Sequence, residues 1–168
     1  KPSPAVMTRS SADHTDFKAD LDRLTAFLSA SDRVVCLTGA GCSLASGIPT
    51  YRTETGDWQG RNPINHQDFL ESFGTRQRYW ARSFMGWPLM NTAQPNPAHR
   101  ALKELVALGK IETLITQNVD SLHEQAGLTD VQHLHGDLRQ VTCMVCGASE
   151  PRTQLQVRLA KLNTHLEL

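Results

Sequence analysis

Arg33-Val34-Val35-Cys36-Leu37-Thr38 runs straight into Gly39-Ala40-Gly41-Cys42-Ser43, and this junction decides the fold. The first six residues are mostly β-formers in a short apolar run, which suits a buried strand of a parallel sheet. The glycines then allow a tight turn and close approach to the backbone, and a helix is expected to follow and end at Gly47. Such a strand–glycine–helix junction offers free backbone N–H groups to an anion such as a phosphate. The pattern is incomplete, because Leu44 stands where a dinucleotide fingerprint has its third glycine. On these residues alone a tight βα turn without a ligand reads equally well.

Upstream, Phe17, Leu21, Leu24 and Leu28 recur at helical spacing, with Thr15 or Asp16 as N-cap, and residues 1–14 read as a flexible leader. Downstream, residues 49–66 form a long irregular loop, a length more often functional than filler. Aromatic residues between 66 and 86 predict two short helices, followed by a loop marked by Pro88, Pro95 and Pro97. Ala98–Leu108 predicts a helix closed by Gly109, Ile111–Thr116 a second buried strand, Val119–Ala126 a short helix before Gly127, and Val131–Leu134 a third strand. Strand alternating with helix argues for an α/β fold with a Rossmann-like parallel sheet and helices on both faces. After Gly136 the texture changes to Cys143-Met144-Val145-Cys146-Gly147, and a helix follows around Leu155, Leu159 and Leu162.

Composition narrows the function. Lys+Arg and Asp+Glu both total 17 in 168 residues, so no charge excess calls for nucleic acid or a membrane surface. No apolar run approaches the ~20 residues of a membrane span. Four cysteines, two of them in apolar or glycine-rich company, fit a reducing compartment better than a disulfide framework. A cytoplasmic setting is expected, with a mitochondrial one as the alternative reading of the N-terminal segment.

The continuation Ser46-Gly47-Ile48-Pro49-Thr50-Tyr51-Arg52 makes the whole stretch from Gly39 to Arg52 closely similar to the nucleotide-binding opening of the sirtuin family. Gln117-Asn118-Val119-Asp120 resembles the second signature of that family, His133-Leu134-His135-Gly136 its third, and Cys143-x-x-Cys146 the first half of its zinc site. Arg78-Tyr79-Trp80-Ala81-Arg82 with Gly86-Trp87-Pro88 is similar to the class II branch. The resemblance spans about residues 17–163, and four motifs in order make it specific.

The resemblance implies an NAD-dependent protein-lysine deacylase that moves the acyl group from lysine to ADP-ribose and releases nicotinamide. Its partners would be acyl-lysine protein substrates. A base that titrates near neutral pH is naturally a histidine, and the resemblance assigns that role to His135. Read alone, His135 could equally be a solvated loop residue. His133 and His99 read as structural. By the same resemblance Asn118 and Asp120 share in catalysis, and Gln117, Asn118, Val119 and Asp120 hold the nicotinamide ribose and carboxamide. Asn118 or Asp120 also reads as a helix N-cap. Gly39, Ala40, Gly41, Ser43, Gly47, Ile48 and Pro49 would form the cofactor cradle. Arg52 would contact pyrophosphate, Tyr51 would shield the ribose, and Asp57 and Trp58 would lie in the cofactor loop. Cys36 and Cys42 read as buried and inert.

A structural Zn2+ site takes four ligands. Cys143 and Cys146 supply two, and His165 could lend a third although it falls outside the family pattern. A thiol redox role for the pair is the alternative. The family continues beyond this point with a second cysteine pair and further strands, so the expectation is a chain cut short at its C-terminus, with at most weak NAD affinity and little activity by itself. Residues 15–137 would be the N-terminal part of the NAD-binding domain, with inserted helices at 66–90, and 138–168 the start of a zinc-binding small domain. Three strands alone would leave an open sheet edge. Two functional alternatives stand beside the deacylase: a non-catalytic binding module that uses the 66–90 helices, and a mono-ADP-ribosyltransferase or lipoamidase of class II type.

Overall fold

The computed structural model describes residues 11–50, 52, 55, 57 and 63–164, with side chains from Asp16 onward. Tyr51, Trp58 and His165, expected to serve the cofactor and zinc sites, lie outside the described residues. In chain order the elements are α1 (Ser11–Ala30), β1 (Val34–Thr38), a 3-10 helix (Ala40–Ser46), α2 (His66–Glu71), α3 (Phe73–Thr92), α4 (Pro97–Ala107) and β2 (Ile111–Thr116). There follow α5 (Leu122–Gln125), β3 (Val131–His133), β4 (Gln140–Thr142), β5 (Ser149–Pro151) and α6 (Arg152–Leu162).

The expected parallel sheet is present, in the order β1-β2-β3. Thr38 of β1 stands opposite Thr116 of β2, and Thr116 opposite His133 of β3, so all three strands end at one level. Loops leaving that level meet by construction, and this is where a parallel sheet collects its ligand-facing groups. A separate antiparallel hairpin, β4 with β5, carries the two later cysteines at its turn.

Several local expectations are revised. α1 begins at Ser11 and passes through Thr15 and Asp16 rather than starting there. Its spaced apolar residues are not covered: Phe17, Leu21 and Leu24 are all about half exposed. Among the described residues β1 lies at one edge of the sheet, and only one of its faces is buried. Val34 and Thr38 are buried on one face, but Val35 and Leu37 are 62% and 58% exposed on the other. Cys36 and Cys42 are half-buried rather than enclosed.

The helix expected after Gly39 is a 3-10 helix, and Gly47 stops it at φ 85°, with its N–H donated to the Leu44 carbonyl. A left-handed stop of this kind favours glycine. α5 is shorter than expected and starts at Leu122, because Ser121 at φ 58° precedes it.

The largest revision is α3, which runs through Pro88 to Thr92 where a loop was expected. Proline lacks the N–H that would bond the carbonyl four residues earlier, which usually breaks a helix. Here that carbonyl belongs to Phe84, and the Gln156 Nε2 of α6 donates to it at 3.0 Å. Arg152, also on α6, donates from Nη2 to the Ser83 carbonyl and hydroxyl at 3.1 Å each and stacks 4.8 Å above the Trp87 ring. The interior proline is thus supported from a distant element.

Candidate functional site

A cavity of about 630 Å³ opens where β1 and β2 end. Its wall takes Ala40 and Ser43 from the 3-10 helix, and Ile48, Pro49 and Arg52 from the chain that follows it. Gln117, Asn118, Val119 and Asp120 after β2, and His135 after β3, line it as well. Gly39, Gly41, Gly47 and Asp57 are not on the wall; Asp57 accepts a hydrogen bond from the Thr55 hydroxyl at 2.9 Å.

The polar groups hold one another in place. The Gln117 N–H donates to the Thr38 carbonyl at 3.0 Å, which extends the β1–β2 ladder by one rung. The Asn118 Nδ2 donates to the Gly39 carbonyl at 3.0 Å and to the Ser43 hydroxyl at 3.1 Å. The Ser43 hydroxyl donates to Asp120 Oδ2 at 2.7 Å, and Asp120 Oδ1 accepts the Leu122 N–H at 2.9 Å. Ser43, Asn118 and Asp120 are all buried, so these bonds fix the turn geometry in a medium where an unmade bond is costly. Asp120, not Asn118, satisfies the first turn of α5; Asn118 points back to the glycine turn.

Neither Gly39 nor Gly41 is needed by the backbone itself. Neither has a positive φ, and a Cβ at Gly39 would meet only Gln117 Nε2 at 4.0 Å, one at Gly41 nothing within 4 Å. Glycine here leaves space beside the cavity, which fits a ligand that must approach the main chain.

His135 is exposed on the cavity wall, and its Nδ1 lies 3.0 Å from the Gln117 carbonyl oxygen. A carbonyl can only accept, so Nδ1 carries the proton and the neutral ring keeps its lone pair on Nε2. The other histidines are differently employed. His133 pairs with Glu124 through Nε2. His99 is fully buried at the start of α4, where its Nδ1 accepts the Asn96 N–H at 3.3 Å in a capping box.

Sequence reasoning missed Asn96. Its Nδ2 donates to the Cys42 carbonyl at 2.7 Å and the Ser46 hydroxyl at 3.0 Å, pinning the 3-10 helix from behind. Asn-Pro at a helix start signals a cap, but nothing local signals its second task. Thr50, Pro63 and Met90 also line the cavity without having been expected. A second cavity of about 740 Å³ adjoins the first, shares Ile48, Pro49, Thr50, Pro63 and Met90 with it, and extends along α3 past Tyr79, Gly86 and Trp87.

At the hairpin turn, the Cys143 carbonyl accepts the Gly147 N–H at 2.9 Å, with Gly147 at φ 73°. The backbone N–H groups of Cys146 and Val145 point at the Cys143 sulfur and favour its thiolate, lowering its pKa. Such a turn suits two thiolate ligands of a zinc site.

Residues 39–165 match the sequence model of the Sir2 family. The chain belongs to the Sir2 family. Among Sir2 relatives, an NAD-dependent protein deacetylase of Xanthomonas axonopodis pv. citri is 49% identical over 144 residues, covering 86% of this chain and 49% of its own length. The mitochondrial NAD-dependent protein lipoamidase sirtuin-4 of Bos taurus is 48% identical over 143 residues, covering 83% of this chain and 45% of its own. The chain thus spans about half the length of the curated relatives it matches. Solved Sir2 structures carry the same fold. One, described as a structural basis for the mechanism and regulation of Sir2 enzymes, superposes with a TM-score of 0.72 at 32% identity over 86% of this chain and 57% of that one. A mutant Sir2 homologue in complex with 2′-O-acetyl-ADP-ribose gives 0.66 at 42% identity over 77% and 52%. The α/β fold with its parallel sheet is therefore that of the Sir2 enzymes.

Proposed function

We propose that this chain carries the nicotinamide-ribose side and the base of an NAD-dependent protein-lysine deacylase site. The observation that carries the reading is the His135 ring, whose Nδ1–H is taken by the Gln117 carbonyl and whose Nε2 is left as the basic atom on the cavity wall. Kinship supports it, since Sir2 relatives are named NAD-dependent deacetylases and a solved Sir2 homologue holds an acetylated ADP-ribose.

NAD would lie against the glycine turn, with its ribose near Asn118 and His135. NAD supplies the electrophilic ribose carbon and nicotinamide as the leaving group. The chain's own residues do the rest. His135 Nε2 accepts a proton from a ribose hydroxyl, and the resulting imidazolium keeps its Nδ1–H on Gln117. Asp120, fixed by Ser43 and the Leu122 N–H, retains lone pairs for a carboxamide N–H. Arg52 lines the wall and would contact pyrophosphate with its planar donors. The adjoining cavity along α3 would take the acyl-lysine of a protein substrate, because its shared wall lets an alkyl chain end beside His135. Relatives at 49% and 48% identity are named a deacetylase and a lipoamidase respectively, so kinship supports either acyl group.

Cys143 and Cys146 would hold a structural Zn2+ with two further ligands; among the described residues no third His, Cys, Asp or Glu joins this pair. No helix among the described residues is long and apolar enough to cross a membrane. We place the protein in the cytoplasm or, as the sirtuin-4 relative suggests, in mitochondria.

The test is to incubate the protein with NAD and an acetyl-lysine peptide and follow nicotinamide and O-acetyl-ADP-ribose by mass spectrometry. Both products are expected at a low rate, since the chain spans about half the length of its relatives, and His135→Ala should lower that rate by about 10²–10⁴. Equal rates for both proteins, or no acylated ADP-ribose from either with acetyl or lipoyl peptides, would overturn the reading.

A further inference from the structure

We propose that Cys42, His99 and His123 form a binding site for a thiophilic divalent metal ion of the Zn2+ type, separate from the Cys143–Cys146 turn and behind the nucleotide cavity. The three residues come from the 3-10 helix, α4 and α5, and one ligand atom from each lies within 4.8 Å of the others. Cys42 Sγ is 3.9 Å from His99 Nε2, and the two histidine rings are 4.9 Å apart.

The hydrogen bonds around His123 leave it prepared for such a role. The Thr38 hydroxyl spends its proton on Thr116 Oγ1 at 2.9 Å, so it accepts from His123 Nε2 at 2.8 Å. The proton is thereby fixed on Nε2, and the lone pair sits on Nδ1, which is fully buried and has no partner. Buried polar atoms are nearly always satisfied, so an orphaned imidazole nitrogen points to a ligand. The Thr38–His123 contact is also the outer-shell bond that orients a metal-binding histidine. Both histidines are almost completely buried, and burial keeps them neutral by lowering their pKa, which is the form that ligates.

Two nitrogens and one sulfur suit tetrahedral Zn2+ with a fourth position open. Binding requires the donors to close to ~2.0–2.3 Å from the ion. The Cys42 thiol releases its proton to solvent. On His99 the proton moves from Nε2, which faces Cys42, to Nδ1, which gives up the Asn96 N–H. The Asn96 side chain still caps α4 through Ala98. An ion here ties the turn that carries Ser43 to α4 and α5.

Two measurements test this without the nucleotide reaction. First, iodoacetamide labelling of the unmodified protein is followed residue by residue by peptide mass spectrometry, with Cys36 as reference. Zn2+ should slow labelling of Cys42 by about tenfold or more and leave Cys36 unchanged, because only the free thiolate reacts. An unchanged Cys42 rate, or a parallel change at Cys36, overturns the proposal. Second, Co2+ titration of the protein and of Cys42→Ser should differ by one bound cobalt and one thiolate-to-cobalt absorption band. Identical spectra and stoichiometry overturn it.

Discussion

At the carboxyl ends of β1 and β2, Ser43, Asn118 and Asp120 are buried and satisfy one another, whereas the outer face of β1 and the apolar stripe of α1 stand in the open. The two regions share a strand: Thr38 belongs to the first, and Val35 and Leu37 to the second. The difference is physical. A hydrogen-bond network closes with a handful of groups brought to one level by strand register. Apolar burial grows with area, and a parallel sheet reaches it only when both faces are layered. Among the described residues α4 packs on β2 and α5 on α4, whereas Val35 and Leu37 on the outer face of β1 stay exposed.

This contrast can be broken where it is strongest. Leu122, completely buried against Ile48 and Ala93, anchors α5 beneath Asp120. Leu122→Ala should lower the unfolding free energy by about 2–5 kcal/mol, read by chemical denaturation. Next comes Asn118→Ala, which strips donors from the Gly39 carbonyl and the Ser43 hydroxyl. It should cost about 1–3 kcal/mol of stability and weaken ADP-ribose binding in the same sample.

A third effect is set by pH. Burial holds the pKa values of His99 and His123 below their ordinary range. Above about pH 6.5, the usual histidine value, both are neutral folded or unfolded and contribute no pH dependence. As pH falls below that, the unfolded chain takes up protons first, so stability should decline until the folded-state pKa values are passed. Thermal melts between pH 7.5 and 5 should show the fall, and a flat profile would contradict neutral burial. The smallest effect belongs to the open region: Leu24→Ala should change stability by no more than about 0.5 kcal/mol.

The same contrast explains what the sequence made legible. β2 was readable to the residue because its apolar run is bounded by Gly109 and by polar Gln117-Asn118. Gly47, Gly109 and Gly127 were readable as stops because each holds a positive φ. Part of the cavity wall was legible because its motifs end adjacent strands, which brings Ala40, Ser43, Gln117 and His135 together; Thr50, Pro63 and Met90 carry no such signal. What could not be read depends on partners far along the chain. α3 survives Pro88 through Gln156, and the 3-10 helix after Gly39 is pinned by Asn96. β1 looked buried by composition, yet burial is decided by what packs on it.

The central claim is that His135 is poised as a base because the Gln117 carbonyl holds its Nδ1 proton. Long-range ¹H–¹⁵N correlation NMR of the His135 ring at a pH where it is neutral measures this directly. The account predicts a protonated Nδ1 and an unprotonated Nε2. A ring with its proton on Nε2 would contradict it.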